Sequence, residues 1–556
     1  VKRSINRYTV LLIASVLLAW SCAQQMPLTG GEKDTTPPKI EESSPRNFST
    51  NYKGNKIALT FDEFIQVKSL TQNVIVSPPL EYPLEHIIKG KSVIISIEDT
   101  LKPNTTYNFN FGEAIVDLNE SNPLDSNLFV FSTGPVLDSL TISGQLKDGW
   151  TLEPVKDISL YLYLNHNDSA VLKTRPDYIG KTDQSGNFTI PYLPNKPFKI
   201  YAVGDKDQDY EYDPFAEEFA YLEGIVNPGD SVNLEMKTFT EQDTAQRLLK
   251  TGGIHYGQAF LKFQKTAENI TLKPIGKTVN YISRWNDTKD SLTMWFPDYA
   301  DHDTIRFQVL TDTILDTAEV VLKPKEKFIN KKTNEPSVKF RLKNSYDLGR
   351  FSYFDTLWFY SDHPIQSIDK KNWVFSVNDD TLSWDSLLKN DIIRFGQSPD
   401  DSLRSFSLLY DWKPAASYSI TIPDSSIKDI FELSHDTLEI QIKTKKFEDY
   451  GKLALNLNLP DTKGQYLYLL LDDKQNVAKK MVVQPDEKIV FPLLEPGKYE
   501  FKIIVDENKN GKWDTGNFFE KQQPEAVFYY PKTADVRANW EVELDWTVED
   551  QSLISN

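Results

Sequence analysis

Along most of this chain apolar residues recur at every second position, in short runs that end in proline, glycine or asparagine. In IALTF, Ile57, Leu59 and Phe61 share a face; in SVIISI, Val93, Ile95 and Ile97 do; in YNFNF, Tyr107, Phe109 and Phe111 do. A period of two is the side-chain repeat of a strand, and many short one-faced strands are buried most simply as paired sheets. Beyond the first 21 residues no apolar pattern of period 3.6 runs for a dozen positions. The expected fold class is therefore all-β, built of β-sandwiches. The 31 prolines, 26 tyrosines and 31 phenylalanines agree with frequent turns and pleated, half-buried surfaces.

The first residues follow a different rule. Lys2, Arg3 and Arg7 precede Thr9–Trp20, an apolar run too short to span a bilayer but of the length of a secretory h-region. Ser21 and Cys22 follow at once. A small residue and then cysteine at that place predicts a lipoprotein signal peptide over 1–21, cleaved to leave Cys22 acylated, and a lipidated tether over 22–44. Cys22 is the single cysteine of the chain, so an exported protein of 556 residues has no disulfide pair to make with it. Several acyl chains anchor a protein far better than one. Ala23, where an enterobacterial inner-membrane lipoprotein favours Asp, points to the outer membrane; periplasmic or surface-exposed placement stays open.

Cleavage would remove three positive charges, taking Lys+Arg from 62 to 59 against 80 acids, a net charge of −21. That balance argues against nucleic acid as a partner.

The remaining length implies several domains. Two pairs of segments repeat. LYLYL (Leu160–Leu164), then PFKIYAV running into DKDQDYEYD, parallels YLYLLL (Tyr466–Leu471), then GKYEFKIIV running into DENKNGKWD. Pro191, Leu193 and Asp205 align with Pro492, Leu494 and Asp506 at one constant offset. More loosely, Ile65-Gln66 aligns with Ile365-Gln366, and Lys102, Pro103 and Tyr107 with Lys413, Pro414 and Tyr418. The expected domains are sandwiches over 45–135, 138–245, 251–343, 345–446 and 448–548.

The stretch CAQQMPLTGGEKDTTPPKIEESSP, with Cys22, Pro27, Gly30-Gly31, Asp34, Pro37-Pro38 and Ser44-Pro45, resembles the start of Bacteroidota envelope lipoproteins that carry an SbsA-type bacterial Ig-like domain. The resemblance runs from Cys22 to about Thr133. The repeated blocks resemble transthyretin-like, or carboxypeptidase-regulatory-like, modules. What this implies is an outer-membrane lipoprotein of Ig-like and transthyretin-like sandwiches without known catalysis and without a defined ligand.

Asp205, Asp207, Asp209 and Asp213 stand at positions 1, 3, 5 and 9 of one turn; Asp506, Asn508, Asn510 and Asp514 stand at the same positions of the other. Oxygens at alternate residues of a tight turn converge, and a hard cation takes six to eight of them, so structural calcium is one reading. A solvated acidic turn, with Gly511 serving a bend, is the other. Position 12 of an EF-hand holds a bidentate Glu; here it holds Ala216 and Asn517, and the flanks are strands. The closer parallel is the calcium-stapled loop of SD-repeat B-type adhesin domains.

Nothing in the sequence advertises catalysis. His86, His166, His255, His302, His363 and His435 are scattered singly, without metal-ligand spacing, and neither a nucleophile elbow nor a phosphate-binding glycine loop occurs. Trp150, Trp285, Trp295, Trp358, Trp373, Trp384 and Trp412 are either core residues or platforms for sugar stacking. Asp-Ser/Thr-apolar tripeptides recur, among them those at Asp99, Asp138, Asp290, Asp303, Asp355 and Asp436, and resemble the O-glycosylation site of Bacteroidota exported proteins; strand-entry turns account for them equally. The expected role is non-catalytic docking or spacing in the envelope, as an accessory to an outer-membrane barrel or other envelope protein, with a glycan-binding surface lipoprotein as the alternative.

Overall fold

The computed structural model describes residues 34–548, apart from 126, 230–232, 244, 255, 268–269, 277, 299–303, 312–313, 324–327, 333–336, 339, 347–350 and 399–400. The expected signal peptide, Cys22 and most of the expected tether lie outside the described residues. The regular structure of the described residues is nearly all strand, and their α-helices are the short segments Leu70–Asn73 and Trp384–Lys389. No described helix is long and apolar enough to cross a membrane. The chain forms two compact units, one ending at Phe239 and the other beginning at Thr240.

The first unit contains two sandwich cores. In the first, the sheet Ile40–Ser44, Lys56–Phe61, Ser92–Ser96, Glu85–Lys89 faces the sheet Ile75–Ser77, Thr106–Asn110, Leu128–Ser132. Ile57, Leu59, Phe61, Val93, Ile95, Ile97, Phe109 and Phe111, the alternating residues of the sequence, meet between them, fully buried. In the second, Leu140–Asp148 lies between Asn187–Leu193, antiparallel, and Asn233–Thr238, parallel. Ser159–Tyr163 and Lys199–Val203 form the centre of the opposing sheet. The two cores are bonded to each other: the Ile179 N–H donates to Ser77 Oγ at 3.0 Å, and Arg175 Nη1 donates to the Leu80 carbonyl at 2.9 Å.

The second unit has three cores, over Ala259–Leu322, Phe340–Ile442 and Leu453–Val548. The last repeats the parallel pairing of the first unit: Gly451–Asn458 runs antiparallel to Lys488–Leu494 and parallel to Glu541–Thr547. The middle core repeats the strand order of the N-terminal sandwich, with Leu357–Ser361 and Ser405–Leu409 central in one sheet and Val374–Val377 and Ser417–Ile422 central in the other. Adjacent cores are joined by specific contacts. Asp401 accepts ion pairs from Arg284, at 3.1 Å, and from Arg404, at 2.8 Å, and Arg404 lies over the Trp295 ring. Tyr256 meets Phe431 edge to face, and Lys445 pairs with Glu495.

The Lys-Pro…Tyr repeat has a mechanical basis. Tyr107 Oη accepts the Lys102 N–H at 2.9 Å and Tyr418 Oη accepts the Lys413 N–H at 2.6 Å. Thr133 and Thr444 complete the same corner, each donating to the carbonyl of that lysine. A buried phenol needs a hydrogen-bond partner, and this corner supplies one while pinning the turn before the strand.

Candidate functional site

Each acidic loop leaves the end of a central strand whose two faces are both buried. In the second sandwich Leu160, Leu162, Ile200 and Ala202 point into the core. Tyr161, Tyr163 and Tyr201 point the opposite way and are also buried. The loop after Val203 folds back over them: Tyr212 stacks on Phe219 with ring centroids 3.9 Å apart, and the Tyr212 N–H donates to the Val171 carbonyl at 2.8 Å. Burial drives the Tyr161, Tyr163 and Tyr201 hydroxyls well above the ordinary tyrosine range. They are neutral donors, and Tyr161 uses its proton on Asp205 Oδ2, at 2.5 Å.

Within the first loop the structure brings Asp205, Asp207 and Asp209 together, with one oxygen of each within 4.8 Å of the others. Asp213 is not part of that group; its carbonyl instead accepts the Ala216 and Glu217 N–H groups, both at 3.2 Å. Asp205 also takes the N–H of Gln208 at 2.7 Å and of Tyr210 at 3.1 Å.

The second loop has the same backbone with different side-chain chemistry. Gln208 and Tyr210 have φ of 63° and 69°; Lys509 and Gly511, at the same positions 4 and 6, have 63° and 78°. Glycine takes this left-handed region without strain and a β-carbon does not. In the first loop Tyr210 occupies it, flanked by the Arg175 guanidinium 5.0 Å over its ring and by Tyr161. Asp506 is fully buried and accepts from Gly511 N and Gln465 Nε2, both at 2.7 Å. Asn508 and Asn510 turn their amide groups onto Asp514 Oδ2, the first at 2.6 Å and the second at 2.5 Å. The second loop thus satisfies its own outer carboxylate, while the first leaves three carboxylates facing one point.

One residue of each loop escaped the sequence. Glu217 Oε1 accepts the Lys206 N–H and its Oε2 the Asp213 N–H, both at 3.0 Å. Glu525 does the same for Glu507, at 2.8 Å, and Asp514, at 2.9 Å. Both glutamates are 4 % exposed, and each donates its own N–H to the carbonyl of the position-9 aspartate. The clamp bridges positions 2 and 9 in both loops, yet Glu217 lies four residues past Asp213 and Glu525 eleven past Asp514. That unequal spacing hid the pair. Burial raises both carboxyls above the ordinary Glu range, with Asp205 and Asp213 adding repulsion at Glu217 and Asp514 and Asp506 at Glu525.

The other sequence candidates are dispersed or structural. Trp295, Trp373, Trp384 and Trp412 are buried, which removes them as sugar platforms; Trp150, Trp285 and Trp358 are half-buried. Asp99, Asp138 and Asp355 each accept a bond that shapes a turn, from Glu81 N, Thr106 Oγ1 and Ser352 N. Asp303, His255 and His302 lie outside the described residues. His363 Nδ1 meets Asp429 Oδ2 at 2.6 Å, both wholly buried. The equivalent Asp117 of the first sandwich takes the N–H of Glu120, Ser121 and Asn122; Asp429 takes Phe431 and Leu433, and His363 stands in for the third donor. Burial works against ionisation of Asp117, but those backbone donors together hold its carboxyl below the usual range. The pair is a turn cap.

A model of the bacterial Ig-like domain matches residues 34–133. The N-terminal sandwich is similar to that domain. No curated protein matches the chain. Similar solved structures include surface layer protein SbsC, domains 1–6, at 10 % identity and TM-score 0.16, covering 74 % of this chain and 67 % of that one. BcpA, the major pilin subunit of Bacillus cereus, gives 12 % identity and TM-score 0.14, covering 73 % and 99 %. The N-terminal eight Ig domains of Down Syndrome Cell Adhesion Molecule give 11 % and 0.12, covering 92 % and 70 %. Such low TM-scores bear on neither arrangement nor activity.

Proposed function

We propose that this protein is a non-catalytic envelope lipoprotein, held at the outer membrane by lipid on Cys22, whose tandem sandwiches dock an outer-membrane barrel or another envelope protein. The observation that supports this reading is the bonding between successive cores inside each unit. Side-chain contacts such as Arg284–Asp401–Arg404 hold neighbouring sandwiches as joined pieces. A unit built this way holds the surfaces of its own sandwiches at set spacings, which suits docking. Calcium in the first loop is part of the same proposal, with Asp205, Asp207 and Asp209 as ligands and the Glu217 clamp holding the backbone that carries them. The ion's role there is structural, tying the loop to the end of the strand Lys199–Val203.

The test is affinity purification of a C-terminally tagged copy from native membranes in mild detergent, with co-purifying proteins identified by mass spectrometry. A near-stoichiometric envelope protein is the expected result. The protein arriving alone, or a Cys22→Ala copy remaining membrane-bound, would overturn the reading.

A further inference from the structure

The second acidic loop is longer than the first by seven residues between position 9 and its clamping glutamate, and the added length has a structure of its own. Asn517 and Gln522 exchange a reciprocal pair of backbone hydrogen bonds, both 2.8 Å, closing a small hairpin. Beside it, Thr515 Oγ1 donates to the Thr240 carbonyl at 3.0 Å, and the Phe518 N–H donates to the Glu241 carboxylate. These contacts span 275 and 277 residues of chain. Glu241 is 4 % exposed and Phe518 2 %.

A carboxylate is costly to bury unless hydrogen bonds replace its water, and a bond to a charged acceptor is stronger than one between neutral groups. A buried glutamate that receives a backbone N–H from so distant a segment is therefore a specific contact. We propose that the hairpin Thr515–Gln522 is an intramolecular receptor for Thr240–Glu241, joining the opening residues of the second unit to its last sandwich. The insertion is what distinguishes this loop from its counterpart, and it carries the contacts to a distant part of the chain. Joining ends that far apart costs loop-closure entropy that grows only slowly with length, so a few good bonds beside the packed junctions hold it.

The experiment is a cysteine pair, T240C/T515C, in the full chain under mild oxidation, with the bridge located by peptide mapping so that Cys22 cannot be mistaken for a partner. An intramolecular 240–515 bridge is expected, and adding Glu241→Lys should lower its yield about tenfold, the order of one lost charge-assisted hydrogen bond. No such bridge in a folded protein, or an undiminished yield with Glu241→Lys, would overturn the proposal. Should the lysine variant fail to fold, amide exchange decides: Phe518 N–H should exchange about tenfold faster in Glu241→Ala than in the parent. Equal exchange there would also overturn it.

Discussion

In the loop Asp205–Glu217 three carboxylates face one another beside backbone and tyrosine donors, whereas in Asp506–Glu525 two asparagine amides bond Asp514 Oδ2 and Lys512 pairs with its Oδ1 at 3.6 Å. The backbones are alike: left-handed residues at positions 4 and 6, and a buried glutamate bridging the N–H groups of positions 2 and 9. The clamp builds the turn, while the side chains at positions 3 and 5 set its charge. One backbone therefore serves either a loop of three facing carboxylates or a self-satisfied one.

The largest effect should come from removing the clamp. Glu217→Ala and Glu525→Ala each remove two charge-assisted hydrogen bonds to backbone N–H groups and are expected to cost about 3 kcal/mol in chemical denaturation. Comparable losses would establish one shared device; a loss at one site alone would break the equivalence. Next is calcium. Free calcium a hundredfold above its Kd adds about 2.7 kcal/mol of stability, seen as a rise in Tm over a chelated control. Asp207→Asn should remove most of that rise, and Asn508→Asp with Asn510→Asp should enlarge it by arming the second loop. A Tm indifferent to millimolar calcium would make both loops plain turns.

A smaller effect tests the backbone. Gly511 has φ of 78° and open space where a β-carbon would go, so Gly511→Ala carries the conformational penalty without a clash. A loss of about 1 kcal/mol in denaturation is expected. An unchanged midpoint would mean that Tyr210 bears no strain at the same position either.

The smallest effect is a pH slope. Burial raises the Glu217 and Glu525 carboxyls in the folded state, so between the ordinary Glu range and their raised values the native protein holds protons that the unfolded chain has lost. Their contribution to stability therefore falls as pH rises through that window and recovers as pH is lowered. Replacing both with Gln should flatten this component of a stability–pH profile measured above pH 4.5. A profile of unchanged slope would show that the backbone donors already offset the burial.

Much of the architecture was readable because its causes are local. Ile57, Leu59 and Phe61 alternate in the chain and meet in one core, and the Lys-Pro…Tyr spacing reappears as the same Tyr-to-Lys bond in two sandwiches. The acidic positions were visible for the same reason. The clamping glutamates were not, because Glu217 and Glu525 reach the same two N–H groups from different distances along the chain. Nor was His363 legible: its register partner in the first sandwich is Glu63, and only the approach of Asp429 from another strand makes the imidazole a turn cap.

By itself, then, the sequence determined an all-β chain, the repetition of its modules, and where each acidic turn lies, since period-two burial and turn chemistry depend on neighbours a few residues away. The tertiary structure alone decided which carboxylate is consumed by backbone and which is left facing its own kind. It also decided which tryptophans are enclosed and which remote residues, such as Glu241 and Phe518, are joined. Those outcomes depend on donors and acceptors hundreds of residues apart being carried to hydrogen-bonding distance by sheets that must first assemble.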